Sequence, residues 1–451
     1  MTLGCSPQLP ALASSTESPY QITDALPNEV LTNMFIRNQR GLSWTIINAI
    51  SLGLVILELP KAGAQAPKKG PKVVVSDEAR AIHSRSYVFD GHNDLPWQVR
   101  SKASRSFDLL NIAESQPELH TDIARLHQGG VGAQFWSVYV PANTAESGLS
   151  HQMTIEQIEI VEAMVERYPE TFGLALTYDD IMKCRKEGKI ASLIGVEGGH
   201  SIENSLEKLQ RLFDMGARYM TLTHSDTLDW ADSCSDEPKS NGLSEFGKEV
   251  VRQMNRMGML VDISHVSPKT MQDALDTSSA PVIFSHSSAR GVADHPRNVP
   301  DDILKQLPQD GGVVMVNFYS GFVVPASVKN TNTMFERMRA LREKYGDDQE
   351  AIRRESAAFR AQHPVYPGSV HDVADHVDHI VKVAGIDHVG IGSDYDGIGT
   401  VPTQLEDVST YPVLTQVLLD RGYSEEDIHK FMSGNILRVI QEAEAVAASR
   451  Q

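Results

Sequence analysis

Cysteine is scarce, with three in 451 residues. Only Cys184 and Cys234 lie in the body of the chain, so at most one disulfide is available there. Their spacing is wrong for a paired zinc site, and the sequence leaves open whether they pair; Cys5 follows no apolar run and reads as chance. Positive charge is in deficit: 41 Lys and Arg against 59 Asp and Glu leave a net charge of −18. That argues against a nucleic-acid partner. The largely apolar run Trp44–Leu59 falls short of the roughly 20 residues that span a bilayer. Gly198-Gly199-His200 opens neither a Walker nor a dinucleotide glycine pattern. No G-x-S-x-G stands at a candidate strand–helix turn, which removes the nucleophile-elbow hydrolases. No repeat of fixed period is visible.

The first 66 residues read as a leader. Arg37 and Arg40 precede the apolar run, and Ala64-Gln65-Ala66 follows it. Positive region, apolar region and A-x-A site together describe a secretory signal peptide cleaved before Pro67. Met34 is an alternative start, making residues 1–33 an extension. The expected product is exported, periplasmic or extracellular, and carries no stable membrane anchor after cleavage. The alternative is an uncleaved N-terminal anchor. The tail Ala447-Ala448-Ser449-Arg450-Gln451 is not apolar, so no lipid-anchor signal is expected there.

Residues 67–451 read as a single catalytic domain. Strand-like runs occur at Tyr87–Phe89, Val131–Val140, Ser192–Val196, Arg218–Leu222, Met259–Ile263, Val282–Phe284, Val313–Phe318 and Val389–Gly392. Several are continuous and rich in β-branched residues, as expected for strands buried on both faces. Amphipathic helical stretches separate them, and Gly216 and Gly258 each close a helix before the next strand. Eight strands alternating with helices predict a parallel α/β structure, a TIM-type (β/α)8 barrel. Residues 325–368 interrupt the alternation with a charged, helix-prone insertion after strand seven, read here as a solvated excursion, with part of a lid or interface as the alternative.

The chemistry-bearing residues follow the apolar runs: His92 and Asp94, Glu197, His265 and His286. His92 and Asp94 are two apart, so on extended backbone they point the same way. In such barrels, active sites sit at the C-terminal ends of strands. One such residue would pass for a packed polar group; five are hard to explain that way. Neutral imidazole and carboxylate suit zinc. Five ligands make two sets of three if one is shared, and the shared one would bridge two ions about 3.5–4 Å apart. Glu197, the only glutamate of the five and central in sequence, is the candidate bridge. His224 also ends a strand; it is read as a substrate contact, with a sixth ligand or a core histidine as alternatives. Asp394 follows the last strand and could carry a proton to a leaving amine, while an ordinary turn-forming role competes. Arg297 lies in a loop and could clamp a carboxylate with two parallel hydrogen bonds. His83, His127, His295, His371, His376 and His379 lack the strand-end setting and read as outside the site, the last three as surface residues of a helix.

These stretches together resemble the membrane dipeptidase (renal dipeptidase) family of zinc peptidases. The resemblance is carried by Asp90-Gly91-His92-Asn93-Asp94-Leu95-Pro96-Trp97, Gly195-Val196-Glu197-Gly198-Gly199-His200, Tyr219-Met220-Thr221-Leu222-Thr223-His224 and Asp262-Ile263-Ser264-His265. It continues through Phe284-Ser285-His286, Arg297-Asn298-Val299-Pro300-Asp301-Asp302 and Gly392-Ser393-Asp394-Tyr395-Asp396-Gly397, spanning about Ile82 to Val439. It implies a barrel with two zinc ions, one held by His92, Asp94 and Glu197 and the other by Glu197, His265 and His286. It further implies His224 as the substrate-contacting histidine, Arg297 as the grip on the substrate carboxylate, Asp394 as the strand-eight acid, and a homodimer that cleaves dipeptides by a metal-bridging hydroxide. Asp226 stands where mammalian members place a disulfide cysteine, so their disulfide scheme is not carried over and an exported bacterial-type member is expected. A cyclic-amide or β-lactam hydrolase on the same barrel, or a catalytically silent binding protein, are the alternatives; loss of a ligand would mark silence, and all five are present.

Overall fold

The computed structural model describes residues 70–346 and 348–449. The leader lies outside them. Nine strands form one sheet: β1 Val88–Asn93, β2 Val131–Tyr139, β3 Phe172–Leu174, β4 Ile190–Glu197, β5 Ala217–Thr221, β6 Leu260–Asp262, β7 Ile283–Phe284, β8 Val313–Val316 and β9 Val389–Ile391. All neighbouring pairs are parallel. β1 pairs with β2 and β9, and β2 pairs with β4, so eight strands close on themselves. β3 is the exception. It pairs only with the start of β4, at Ile190–Ser192, before β5 takes over that edge from Ile194. It is the strand the sequence does not announce, because three residues are too few for a period to register.

Alternation along the strands divides the interior in two. Phe89, Phe135, Leu193, Tyr219, Leu260 and Met315 pack together inside the barrel. The C-terminal helix Asn435–Ala448 adds Ile436, Val439 and Ile440 to that cluster and so plugs the barrel. Residues of the other parity, such as Ile194, Val196 and Met220, pack outward against the helices. Serine caps start several of these helices. Ser205, Ser244 and Ser267 accept hydrogen bonds from the amides of Lys208, Gly247 and Thr270, each worth about 1 kcal/mol. Gly258, at φ 77°, ends helix Glu245–Met257 in the left-handed conformation and turns the chain into β6.

The insertion falls where expected, after the seventh barrel strand (β8), as helices Pro325–Tyr345 and Gln349–Gln362. It is not a solvated excursion. Met334, Phe335 and Met338 share a face of the first helix and line the mouth of the barrel. Three of the histidines set aside above are buried as well. His376 lies on the Val373–Val377–Ile380 face of its helix, accepts the Ala289 amide and meets the Val323 carbonyl. His83 bridges Thr415 and the Gly129 carbonyl. His295 is 1% exposed. Each obeys helical or loop packing that a strand-end criterion does not see. Cys184 and Cys234 are both free thiols.

Candidate active site

At the C-terminal mouth of the barrel, the strand ends deliver their side chains to one point. Glu197 closes β4 on the inward parity shared with Leu193 and Gly195. Its Oε1 lies 3.6 Å from His92 Nε2, 3.7 Å from His224 Nε2, 3.3 Å from His265 Nε2 and 3.5 Å from His286 Nε2. Its other oxygen accepts the Ser137 hydroxyl at 3.1 Å. His92 Nε2 is also 3.3 Å from Asp94 Oδ2, and the His265 and His286 Nε2 atoms are 2.9 Å apart. Asp394 joins His92 and Asp94 in a third ligand-like cluster. All five expected ligands, together with His224 and Asp394, therefore converge.

The groups behind the cage explain why the rings face inward. Asp262 accepts four hydrogen bonds, from Thr221 Oγ1, the Ser264 and Ser285 amides and the Ser285 hydroxyl. Because Ser285 donates to Asp262, its oxygen is free to accept from His286 Nδ1 at 2.7 Å. That places the His286 proton on Nδ1 and leaves the Nε2 lone pair toward Glu197. Asp90 builds a matching clamp across β1 and β9, accepting from the His92 and Ser393 amides, the Ser393 hydroxyl and Tyr411 OH. Tyr219 OH meets His92 Nδ1 at 2.8 Å. Its ring crosses β4 at Gly195, where a Cβ would stand 2.0 Å from Tyr219 Cζ. His265, Asp394 and Asp396 all hold positive φ, between 66° and 67°. Such backbone costs on the order of 1–3 kcal/mol per residue and persists where the surroundings dictate it.

The electrostatics ask for positive charge. Burial alone would raise the Glu197 pKa, but the imidazoles of His92, His224 and His265 outweigh it and hold the carboxyl well below the usual range. Burial raises Asp394 well above that range, with Asp94 and Glu197 adding to it. Burial holds His265 and His286 well below the ordinary histidine value, with the Arg297 charge adding in both, and takes His224 down to about 4. Burial would lower His92 as well, but Tyr219, Glu197 and Asp94 outweigh it and hold this one imidazole well above the ordinary value. The neutral imidazoles of His224, His265 and His286, with three carboxylates and a His92 that would give up its proton to an ion, are a donor set for divalent metal. His92 Nε2 is buried without a hydrogen-bond partner, which a coordinated ion would supply. The residues present fit such ions.

A cavity of about 690 Å³ opens above this floor. Arg297 lines it and is 2% exposed. The guanidinium donates to Ser287 Oγ at 3.1 Å and the His286 carbonyl at 3.0 Å. No carboxylate of the described residues pairs with it, and its Nε has no partner. His295, behind it, accepts the Arg297 amide through Nδ1. Asn317 donates to Asp394 Oδ2 at 2.7 Å. Tyr219, Ser285, Asn317 and His295 are the supporting residues that sequence reasoning missed. Only Asp90 and Asp262 carried a local signal, standing two and three residues ahead of His92 and His265.

The sequence matches the membrane dipeptidase family (peptidase family M19) over residues 76–451. The chain belongs to that family. It is thus a metallopeptidase, a hydrolase of peptide bonds. Among solved structures, the probable dipeptidase PvdM from Pseudomonas aeruginosa has a TM-score of 0.71 at 24% identity, covering 82% of this chain and 98% of that one. A metallopeptidase from Rhodobacter sphaeroides, liganded with a phosphinate mimic of L-Ala-D-Ala, gives 0.64 at 22% identity, with 79% and 99% covered. Dipeptidase AC, a family M19 metallopeptidase, gives 0.65 at 23% identity, with 79% and 98% covered. These likenesses confirm the (β/α)8 fold.

Proposed function

We propose that this chain is a binuclear zinc dipeptidase. The observation that carries the reading is the convergence of four imidazole nitrogens on one oxygen of Glu197, with Asp94 against His92. In this reading His92, Asp94 and Glu197 would hold one ion and Glu197, His265 and His286 the other, with Glu197 shared between them. Zinc held there would lower the pKa of water to about 7 and polarise the scissile carbonyl.

The chain's own residues do the rest. Arg297 binds the substrate's free carboxylate, since a buried guanidinium without an anion is a receptor for one. His224, neutral at pH 7 and 19% exposed in its side chain, faces the cage and steadies the oxygen that gains charge at the scissile carbon. Asp394, held by Asn317 and disposed by burial to keep a proton, passes it to the leaving amine. Asp94, Asp394 and Asp396 line the cavity from the ends of β1 and β9, whereas Arg297 comes from the loop after β7. Carboxylates from one side and a cation from another suit a short zwitterion, which a dipeptide is.

The test compares a dipeptide with its C-terminal amide. Arg297→Lys should lower kcat/KM for the acid by roughly 10–150-fold, the equivalent of about 1.5–3 kcal/mol for a hydrogen bond to charge, with metal content normal. The acid-to-amide ratio should shrink with it. A ratio equal to wild type removes Arg297 from the site. Export is proposed alongside, with residues 67–451 as the mature domain; the A-x-A site supports it, and N-terminal sequencing from the native host decides between Pro67 and an intact leader. A homodimer, implied by the family resemblance, is tested by sedimentation.

A further inference from the structure

The cavity has two unlike faces. Its floor is the histidine and carboxylate set. Its roof is apolar, formed by Tyr319 and Phe322 from the segment after β8 and by Met334, Phe335 and Met338 from helix Pro325–Tyr345. The three helix residues fall at i, i+1 and i+4, on one face, and all three remain only half-buried. An apolar helix face of this kind normally buries itself against something. This one looks into the space beside Arg297. The guanidinium carbon lies 5.3 Å from the Phe322 ring centroid. Phe322 in turn stacks on Phe335 at 6.2 Å and 18°. The cationic grip and the apolar roof are therefore contiguous.

We infer that the roof is the subsite for the side chain of the substrate's C-terminal residue, and that this residue is large and apolar, of the leucine, methionine or phenylalanine type. The inference rests on the dipeptidase reading, in which Arg297 holds the terminal carboxylate. In a dipeptide that carboxylate and the C-terminal side chain leave the same α-carbon. Fixing one at Arg297 places the other against the roof. Thioether and aromatic walls adapt to apolar groups of different shape, and the cavity is large enough for a residue well beyond alanine. An acidic side chain would find one cation in the roof's part of the lining, the exposed Arg360, with Asn330, Thr331 and His363 as its polar neighbours.

The experiment is a kcat/KM series on metal-loaded protein with L-Ala-X, where X is alanine, leucine, phenylalanine or aspartate in either configuration. Leucine and phenylalanine should exceed alanine by about tenfold or more, and aspartate should fall below alanine. Met338→Ser, in the roof helix and outside the cage, should narrow the leucine-to-alanine ratio by about threefold or more while metal content stays at wild type. Phe335→Ala is the second variant, expected to act in the same direction. Calorimetry with two phosphinate pseudo-dipeptides, differing only in an alanine or leucine side chain at the second position, reads the same preference as binding. A flat series, or a preference for aspartate, overturns the subsite and leaves the dipeptidase reading standing. No cleavage of any dipeptide, with leucine-selective binding retained, supports the subsite and overturns the parent reading. Neither cleavage nor selective binding overturns both.

Discussion

The floor and the roof of the cavity are held by different physics. The floor is a buried network. Asp90 and Asp262 each accept four hydrogen bonds and lock strand ends on opposite sides of the barrel. The roof helix buries Ser327, Val328, Thr331 and Leu341 at its back, but its links to the 226–237 segment lie at the surface. Arg339 reaches Glu237 Oε1 at 2.8 Å and the Ser235 carbonyl at 3.0 Å, and Arg342 stands 3.6 Å from Asp226. Exposed pairs of that kind contribute about 0–1 kcal/mol, whereas a buried charge that loses its partner costs about 3–5 kcal/mol. The floor is therefore specified by buried charge, whereas the outer side of the roof rests on weaker exposed pairs. That division suits an enzyme whose chemistry is constant and whose substrates differ in side chain.

The comparison breaks first at its strongest joint. Glu197→Gln keeps the shape of the hub but removes its charge, leaving the ions and imidazoles around it unbalanced. Activity should fall by roughly 10²–10⁴-fold, the rate equivalent of about 3–5 kcal/mol, measured as kcat/KM on a good dipeptide. A loss under tenfold would mean that Glu197 is not the hub.

Asp262→Asn probes the layer behind the floor. The serine relay to His286 would lose its anionic acceptor, and metal affinity should drop by about 10–100-fold. Competition against a chelator of known affinity reads this directly, without any turnover. Unchanged affinity would reduce Asp262 to a strand-end brace.

The weakest joint should give the smallest effect. Arg339→Ala removes one exposed latch of the roof, so kcat/KM should change by no more than about threefold and melting should move little. Raising salt on the wild type should mimic it. A large loss of activity would show that the roof is as rigidly specified as the floor.

How much of this was legible in the sequence follows the same division. The strand ends announce themselves, because a short apolar run with His, Asp or Glu after it is a local pattern. The eight barrel strands are found as short apolar runs, and the five candidate ligands as the His, Asp or Glu residues that follow four of them. The roof is not local. Met334, Phe335 and Met338 sit in a charged helix whose apolar face is narrow, so its sequence ranks a lid only second to a solvated excursion. Buried supporting residues are hidden for a related reason. Tyr219 reads as an ordinary strand aromatic, and only its passage across Gly195 brings its hydroxyl to His92. His376 reads as a surface histidine until its helix face is seen against Val323. Pairing between distant segments creates these roles, and composition and period do not record it.

The central claim is that the barrel mouth holds two divalent ions through Glu197. The direct measurement is metal content after reconstitution with zinc and exhaustive dialysis, on wild type and Glu197→Gln side by side. The account predicts two zinc ions per wild-type chain and fewer than two, bound more weakly, in the variant. One ion or none in the wild type, or two retained equally tightly by Glu197→Gln, would contradict it.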